Sequence, residues 1–160
     1  MSSYLLTKEV AETAVRIVKP SILNAMEIGL LKRRDLHIVV LDPVVDYVDG
    51  SLLPAIYEFS FGNPIKWEHR FDTIARAKAL VTWRTGLPTH LVQQSFPYLL
   101  QGRDTPLWGS VNLEGIIVAA SGVQPWFDEM ISYQVAAACR ALCISKMQTE
   151  TLPDDQIFLK

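Results

Sequence analysis

Two short apolar runs constrain the fold of this chain more than any other feature of its 160 residues. The runs Leu36–Leu41 and Ile116–Ala120 have the length of buried strands and are too short for helices. Each run lies close in sequence to a second predicted strand, at Ser51–Phe61 for the first and from Leu107 onward for the second. Because strands this close in sequence pair antiparallel, the pattern predicts an antiparallel sheet.

Segments with a helical spacing of apolar residues flank and separate the two strand pairs. Pro20 interrupts the first segment, and its ring is expected to split that helix in two. Gly86 is a natural C-cap for the second segment, and Pro125 suits the first turn of the last. The order of elements therefore predicts an α+β fold with helices packed against the sheet. The predicted helices span roughly 8–19, 20–31, 67–85, 89–95 and 125–146.

Composition limits the classes of protein to which the chain can belong. Hydrophobic residues make up 49% of the sequence and charged residues 20%, which excludes a disordered chain. The net charge of −2, without a basic block, argues against nucleic acid as a partner. No apolar run reaches the roughly 18 residues of a membrane span, and Glu9 and Glu12 interrupt the N-terminus where a signal peptide would be apolar. We therefore expect a cytoplasmic protein with no membrane partner.

The length is that of one domain, which we place at 1–147 and follow with a polar tail at 148–160. The mean hydropathy of +0.18 is high for a small monomer, so the sequence predicts a homo-oligomer that buries surface between subunits. Trp126 and Phe127 are the predicted interface residues. The two cysteines form no disulfide framework and lack the further ligands of a metal site.

Short motifs in the second half of the chain resemble those of a known family. The string ARAKA at Ala75–Ala79 is followed by TGLPT at Thr85–Thr89, and GIIVAASG at Gly115–Gly122 leads to an alanine-rich helix that begins near Asp128. Together with LWGSV at Leu107–Val111, these strings resemble the GlcG/HbpS-like proteins, also called the haem-degrading domain family. The resemblance covers roughly residues 6–147.

The chain departs from that family where small residues replace glycine. Ser110 stands in place of the second glycine of a Gly-Gly pair, and Ala119 and Ala120 stand in place of glycines in the last strand. The resemblance implies a profilin-like fold, with an antiparallel sheet of about five strands and helices on its faces. It also implies a symmetric homo-oligomer and, as in several family members, haem as the ligand.

Five residues are candidates for ligand binding. His90 follows the Pro88-Thr89 exit at a loop-to-helix junction, and a neutral imidazole can ligate haem iron. Thr89 is a candidate N-cap of the short helix. Lys78 and Arg76 can bind a carboxylate or a haem propionate if they lie on a pocket rim. Trp108 suits a flat apolar ligand or a subunit interface.

Each candidate also has a purely structural interpretation. His90 can be an ordinary surface histidine, and the cations of the second helix can form a solvated face. The leading hypothesis is a haem-binding protein with His90 as the axial ligand. The rivals are a catabolic enzyme that holds an organic acid in the same cleft through Arg76 or Lys78, and a ligand-free assembly partner. No acid–base pair stands out from the sequence, so it assigns no catalytic residue.

Overall fold

The computed structural model of the chain describes residues 1–150 and 156–159. It confirms a mixed α+β fold with one antiparallel sheet, whose strand order is β2-β1-β4-β3. The elements are α1 (Lys8–Glu27), β1 (Leu36–Leu41), β2 (Ala55–Phe61), α2 (Phe71–Thr85), α3 (Thr89–Ser95), β3 (Ser110–Leu113), β4 (Ile116–Ser121) and α4 (Pro125–Thr149).

The sheet has four strands within the described residues, one fewer than the resemblance implies. The first predicted strand pair is also joined by a longer loop, because β2 begins at Ala55 and not at Ser51. Pro43 and Pro54 lie in that loop, and neither can donate the backbone N–H that a strand ladder needs. The segment between β1 and β2 therefore adds no strand to the sheet.

The predicted break of the first helix at Pro20 is wrong, since α1 is one uninterrupted helix of 20 residues. Pro20 lies on the exposed side of α1, where water can satisfy the carbonyl that loses its hydrogen bond. Val18 and Ile22, on either side of the proline, are both buried in the core. Packing of this apolar face thus outweighs the local cost of the proline.

Helices cover both sides of the sheet. Helices α1 and α4 pack on one side, where their apolar residues form a large cluster with strand residues such as Ile38 and Val118. Helix α2 packs on the other side against Val39 and Ala119. Every residue of β1 is buried, as expected for a central strand between two helical layers.

The last helix extends to Thr149 and so continues past the predicted domain boundary at 147. Much of the predicted tail at 148–160 lies outside the described residues. Within the described part of the chain, no helix has both the length and the apolar character needed to cross a membrane.

Candidate functional site

A buried ion pair lies where α2, the end of β4 and the start of α4 meet. The side chains of Lys78 and Asp128 are only 2% and 3% exposed. Lys78 Nζ donates to Asp128 Oδ2 at 3.1 Å and to the carbonyl oxygen of Ala120 at 2.9 Å. The prediction of a solvated cationic face is therefore wrong for Lys78, because its ammonium group has partners only inside the protein.

Burial perturbs both members of this pair. It raises the pKa of Asp128 to about 6, although Lys78 and the backbone N–H groups of Val123 and Gly122 act in the opposite direction. Burial also lowers the pKa of Lys78, against the attraction of Asp128. The second oxygen of Asp128 accepts a hydrogen bond from the Val123 N–H at 3.1 Å. Both carboxylate oxygens are thus engaged by the protein.

Gly109 makes room for this pair. Its φ of +145° is rarely adopted by L side chains, and a Cβ atom here would lie 2.8 Å from the Ala120 carbonyl oxygen and 2.8 Å from Asp128 Cβ. The same Cβ would come within 3.0 Å of Lys78 Nζ. Only glycine allows the segment before β3 to pass this close to the pair.

A cavity of about 290 Å³ opens beside the ion pair. Its walls are largely apolar, while Lys32 and Arg33 contribute cations and Lys78 and Asp128 contribute the buried pair. The Arg33 guanidinium donates to the Gly122 carbonyl oxygen at 2.7 Å and lies 4.9 Å from the centroid of the Phe71 ring. The apolar wall residues are Phe71, Ile74, Leu107, Val123 and Pro125.

His90 belongs to a neighbouring cluster. Its Nδ1 lies 3.0 Å from Glu129 Oε2, and its ring centroid is 5.0 Å from that of Trp108. The side chain is 36% exposed, and its Nε2 has no hydrogen-bond partner among the described residues. The structure therefore brings together two predicted site residues, His90 and Trp108, with Glu129, which was not predicted as a site residue.

Thr89 has a structural position. It is completely buried, and its hydroxyl oxygen accepts from the N–H groups of Gly109 and Ser110, both at 3.0 Å. It does not cap α3, since Pro88 occupies the N-cap position and Thr89 is already the first residue of the helix. Thr89 therefore holds the segment before β3, which also carries Trp108.

Arg76 lies apart from the cavity. Its Nε donates to Glu58 Oε1 at 2.8 Å, and the same oxygen lies 2.9 Å from His37 Nε2. His37 Nδ1 in turn lies 2.8 Å from Ser60 Oγ. Arg76 therefore belongs to a polar network along β2. We predicted one cleft that Arg76, Lys78 and His90 share. In the structure the three side chains instead have different partners: Glu58, Asp128 and Glu129 respectively.

Asp128 was not predicted from the sequence as the partner of Lys78. The available signals were an acidic residue in the first turn of a helix and a lysine within an otherwise small, apolar string. In the described part of the chain, no three His, Cys, Asp or Glu side chains are placed to hold a metal ion together. Comparisons with protein-family models, curated proteins and solved structures give no significant match.

Proposed function

We propose that this chain is a cytoplasmic, GlcG/HbpS-like haem-binding protein in which His90 supplies the axial ligand. One observation carries the proposal: the His90 imidazole has a carboxylate on Nδ1 and no hydrogen-bond partner among the described residues on Nε2. The sequence motifs at Ala75–Ala79 and Gly115–Gly122 support the same family and the same ligand.

The contact with Glu129 suits His90 for metal ligation. A proton on Nδ1 that is donated to Glu129 leaves the lone pair on Nε2, which is the form that binds iron. The carboxylate also restrains the orientation of the ring. The residues around His90 therefore fit haem, which when bound supplies an iron centre capable of redox chemistry.

Trp108 offers an aromatic surface for the ligand. Its ring centroid lies 5.0 Å from that of His90. A partly exposed histidine next to an indole ring suits a flat ligand at the surface of the subunit or between subunits. The proposal includes a homo-oligomer, which the 58% exposure of Trp126 supports. Phe127, the other predicted interface residue, instead packs against the core of its own subunit.

A haemin titration followed by absorbance tests the proposal. We expect a saturable Soret shift at about one haem per chain, its loss in His90→Ala and a roughly 10- to 100-fold weaker affinity in Glu129→Gln. His69→Ala is the matched control, because His69 is an exposed histidine outside the His90 cluster. Circular dichroism verifies that each variant is folded, and light scattering on the same samples measures the oligomeric state.

A titration that does not saturate would overturn the proposal. So would a folded His90→Ala variant that binds haemin as tightly as the unmodified protein. If the protein is an oligomer that binds no haemin, a ligand-free assembly role replaces haem binding.

A further inference from the structure

We infer that the cavity beside Lys78 and Asp128 is a second binding site, separate from His90, for a small organic acid with an apolar body. The cavity is lined by neither His90 nor Trp108. The inference therefore does not depend on haem binding, and the two proposals can fail independently.

The size of the cavity limits the ligand. Its volume of about 290 Å³ lies just below the range of about 300–1,000 Å³ that is typical of small-molecule sites. Most of the exposed wall surface is apolar, and Phe71, Ile74 and Leu107 contribute to it. A single aromatic ring or a branched aliphatic chain matches this space and chemistry.

The charges around the cavity select an anion. Lys32, Arg33 and Lys78 line it, whereas Asp128 is the one carboxylate among the residues found to line it. Both oxygens of Asp128 are already engaged, by Lys78 and by the Val123 N–H. Arg33 is itself paired with Glu68 at 3.4 Å, so Lys32 is the cation beside the cavity without a carboxylate partner among the described residues. The remaining positive charge favours a ligand with a carboxylate group.

Lys78 provides an unused donor. An ammonium group carries three N–H bonds, and the described residues accept two of them through Asp128 and the carbonyl of Ala120. The side chain is 2% exposed, so bulk water has little access to the third N–H. Because an unmatched donor on a buried charge is costly, a carboxylate that accepts from Lys78 gains a strong, charge-assisted hydrogen bond.

The rim supplies further attraction. Arg33 is held in place by the Gly122 carbonyl oxygen, by the Phe71 ring and by an ion pair with Glu68. Lys32 is exposed and makes no ion pair within the described residues, so its charge remains available to attract an anion. An incoming acid thus meets the solvated Lys32 first and the buried ammonium of Lys78 afterwards.

The test compares benzoate with benzamide, a neutral molecule of nearly the same shape. We expect benzoate to raise the melting temperature of the protein by a few degrees at tenfold its Kd, as mass action requires. Benzamide should cause a much smaller shift. Calorimetric titration of benzoate gives the stoichiometry, which we expect to be one per chain.

Two variants locate the site without removing the ion pair. Ile74→Trp fills the cavity and should abolish the benzoate response, while Lys32→Gln should weaken it several-fold. Arg76→Gln is the matched control, since it also removes one cation, from a position on α2 that does not line the cavity, and should keep the response. Equal shifts with benzoate and benzamide, or a full benzoate response in a folded Ile74→Trp variant, would overturn the inference.

Discussion

The two sides of the sheet are built from different chemistry. On the side covered by α1 and α4, Ile38 and Val118 belong to an extended apolar cluster. On the side covered by α2, a smaller cluster built around alanines is accompanied by the buried polar residues His37 and Lys78. Burial of polar groups costs free energy unless they are paired. The α1/α4 side therefore stabilises the fold through apolar packing. The α2 side buries charged groups at a cost in stability, as is typical of binding sites.

The largest expected effect comes from breaking the charge pair on the α2 side. Lys78→Met leaves Asp128 buried without its cation, and we expect the free energy of unfolding to fall by about 3–5 kcal/mol. Chemical denaturation measures this change. The double variant Lys78→Met/Asp128→Leu should recover most of the loss, because no unpaired charge then remains.

Ile131→Ala is the matched substitution on the other side. Ile131 is buried in the apolar cluster, and its truncation should cost about 2–5 kcal/mol through lost burial and a cavity. Substitution of one residue next to Ile131 should not restore this stability as fully as Asp128→Leu restores that of Lys78→Met. If Lys78→Met costs less than about 1 kcal/mol, or the double variant is no more stable than the single one, the proposed contrast between the two sides is wrong.

The fold could be predicted from sequence because its signals are local. The apolar run of β1 and the helix signals at Gly86 and Pro125 each involve a few neighbouring residues, and all three have the predicted roles. Pro20 was misjudged because its cost is local while the packing that outweighs it comes from elements distant in sequence. Local patterns contain no information about that packing.

The candidate site could be predicted only in part, because its contacts join distant segments. Lys78 and Asp128 are 50 positions apart, and His90 and Glu129 are 39 apart. Arg76 and Lys78 were predicted together because they share one short string, yet only one of them lies in the cavity. Residue type was enough to identify the candidates. Which of them lie together depends on the register of β4 and on where α4 begins.

The pH dependence of stability tests the same comparison between the two sides of the sheet. The expected change in stability is smaller than that of Lys78→Met. The pKa of Asp128 is about 6 in the folded protein, against its usual value of 3.8, so the folded state binds the extra proton between these pH values. The contribution of protonated Asp128 to the free energy of unfolding is therefore largest below pH 4, and it is lost as the pH rises through 6. At 1.36 kcal/mol per pKa unit, the loss is at most about 3 kcal/mol.

Denaturation at pH 4, 5 and 6 measures this effect as a difference between the protein and Asp128→Asn. The variant removes the titrating group, so it should lack the corresponding fall in stability. The pKa values of Asp72 and Asp104 are lowered, so the contribution of these residues to stability is lost as the pH falls. This loss occurs below the usual pKa of aspartate and is the same in both proteins. Parallel pH profiles for the two proteins would show that Asp128 is not perturbed in this way.

The smallest expected effect is that of Arg76→Gln, because a pair near the surface gains little from its charge. Arg76 is 44% exposed, and exposed ion pairs contribute about 0–1 kcal/mol. The substitution also leaves His37 in contact with Glu58, so the network along β2 keeps its buried member. We expect chemical denaturation to show a loss below about 1 kcal/mol that decreases further in high salt. A loss comparable to that of Lys78→Met would mean that the α2 side depends on its whole polar network and not on one buried pair.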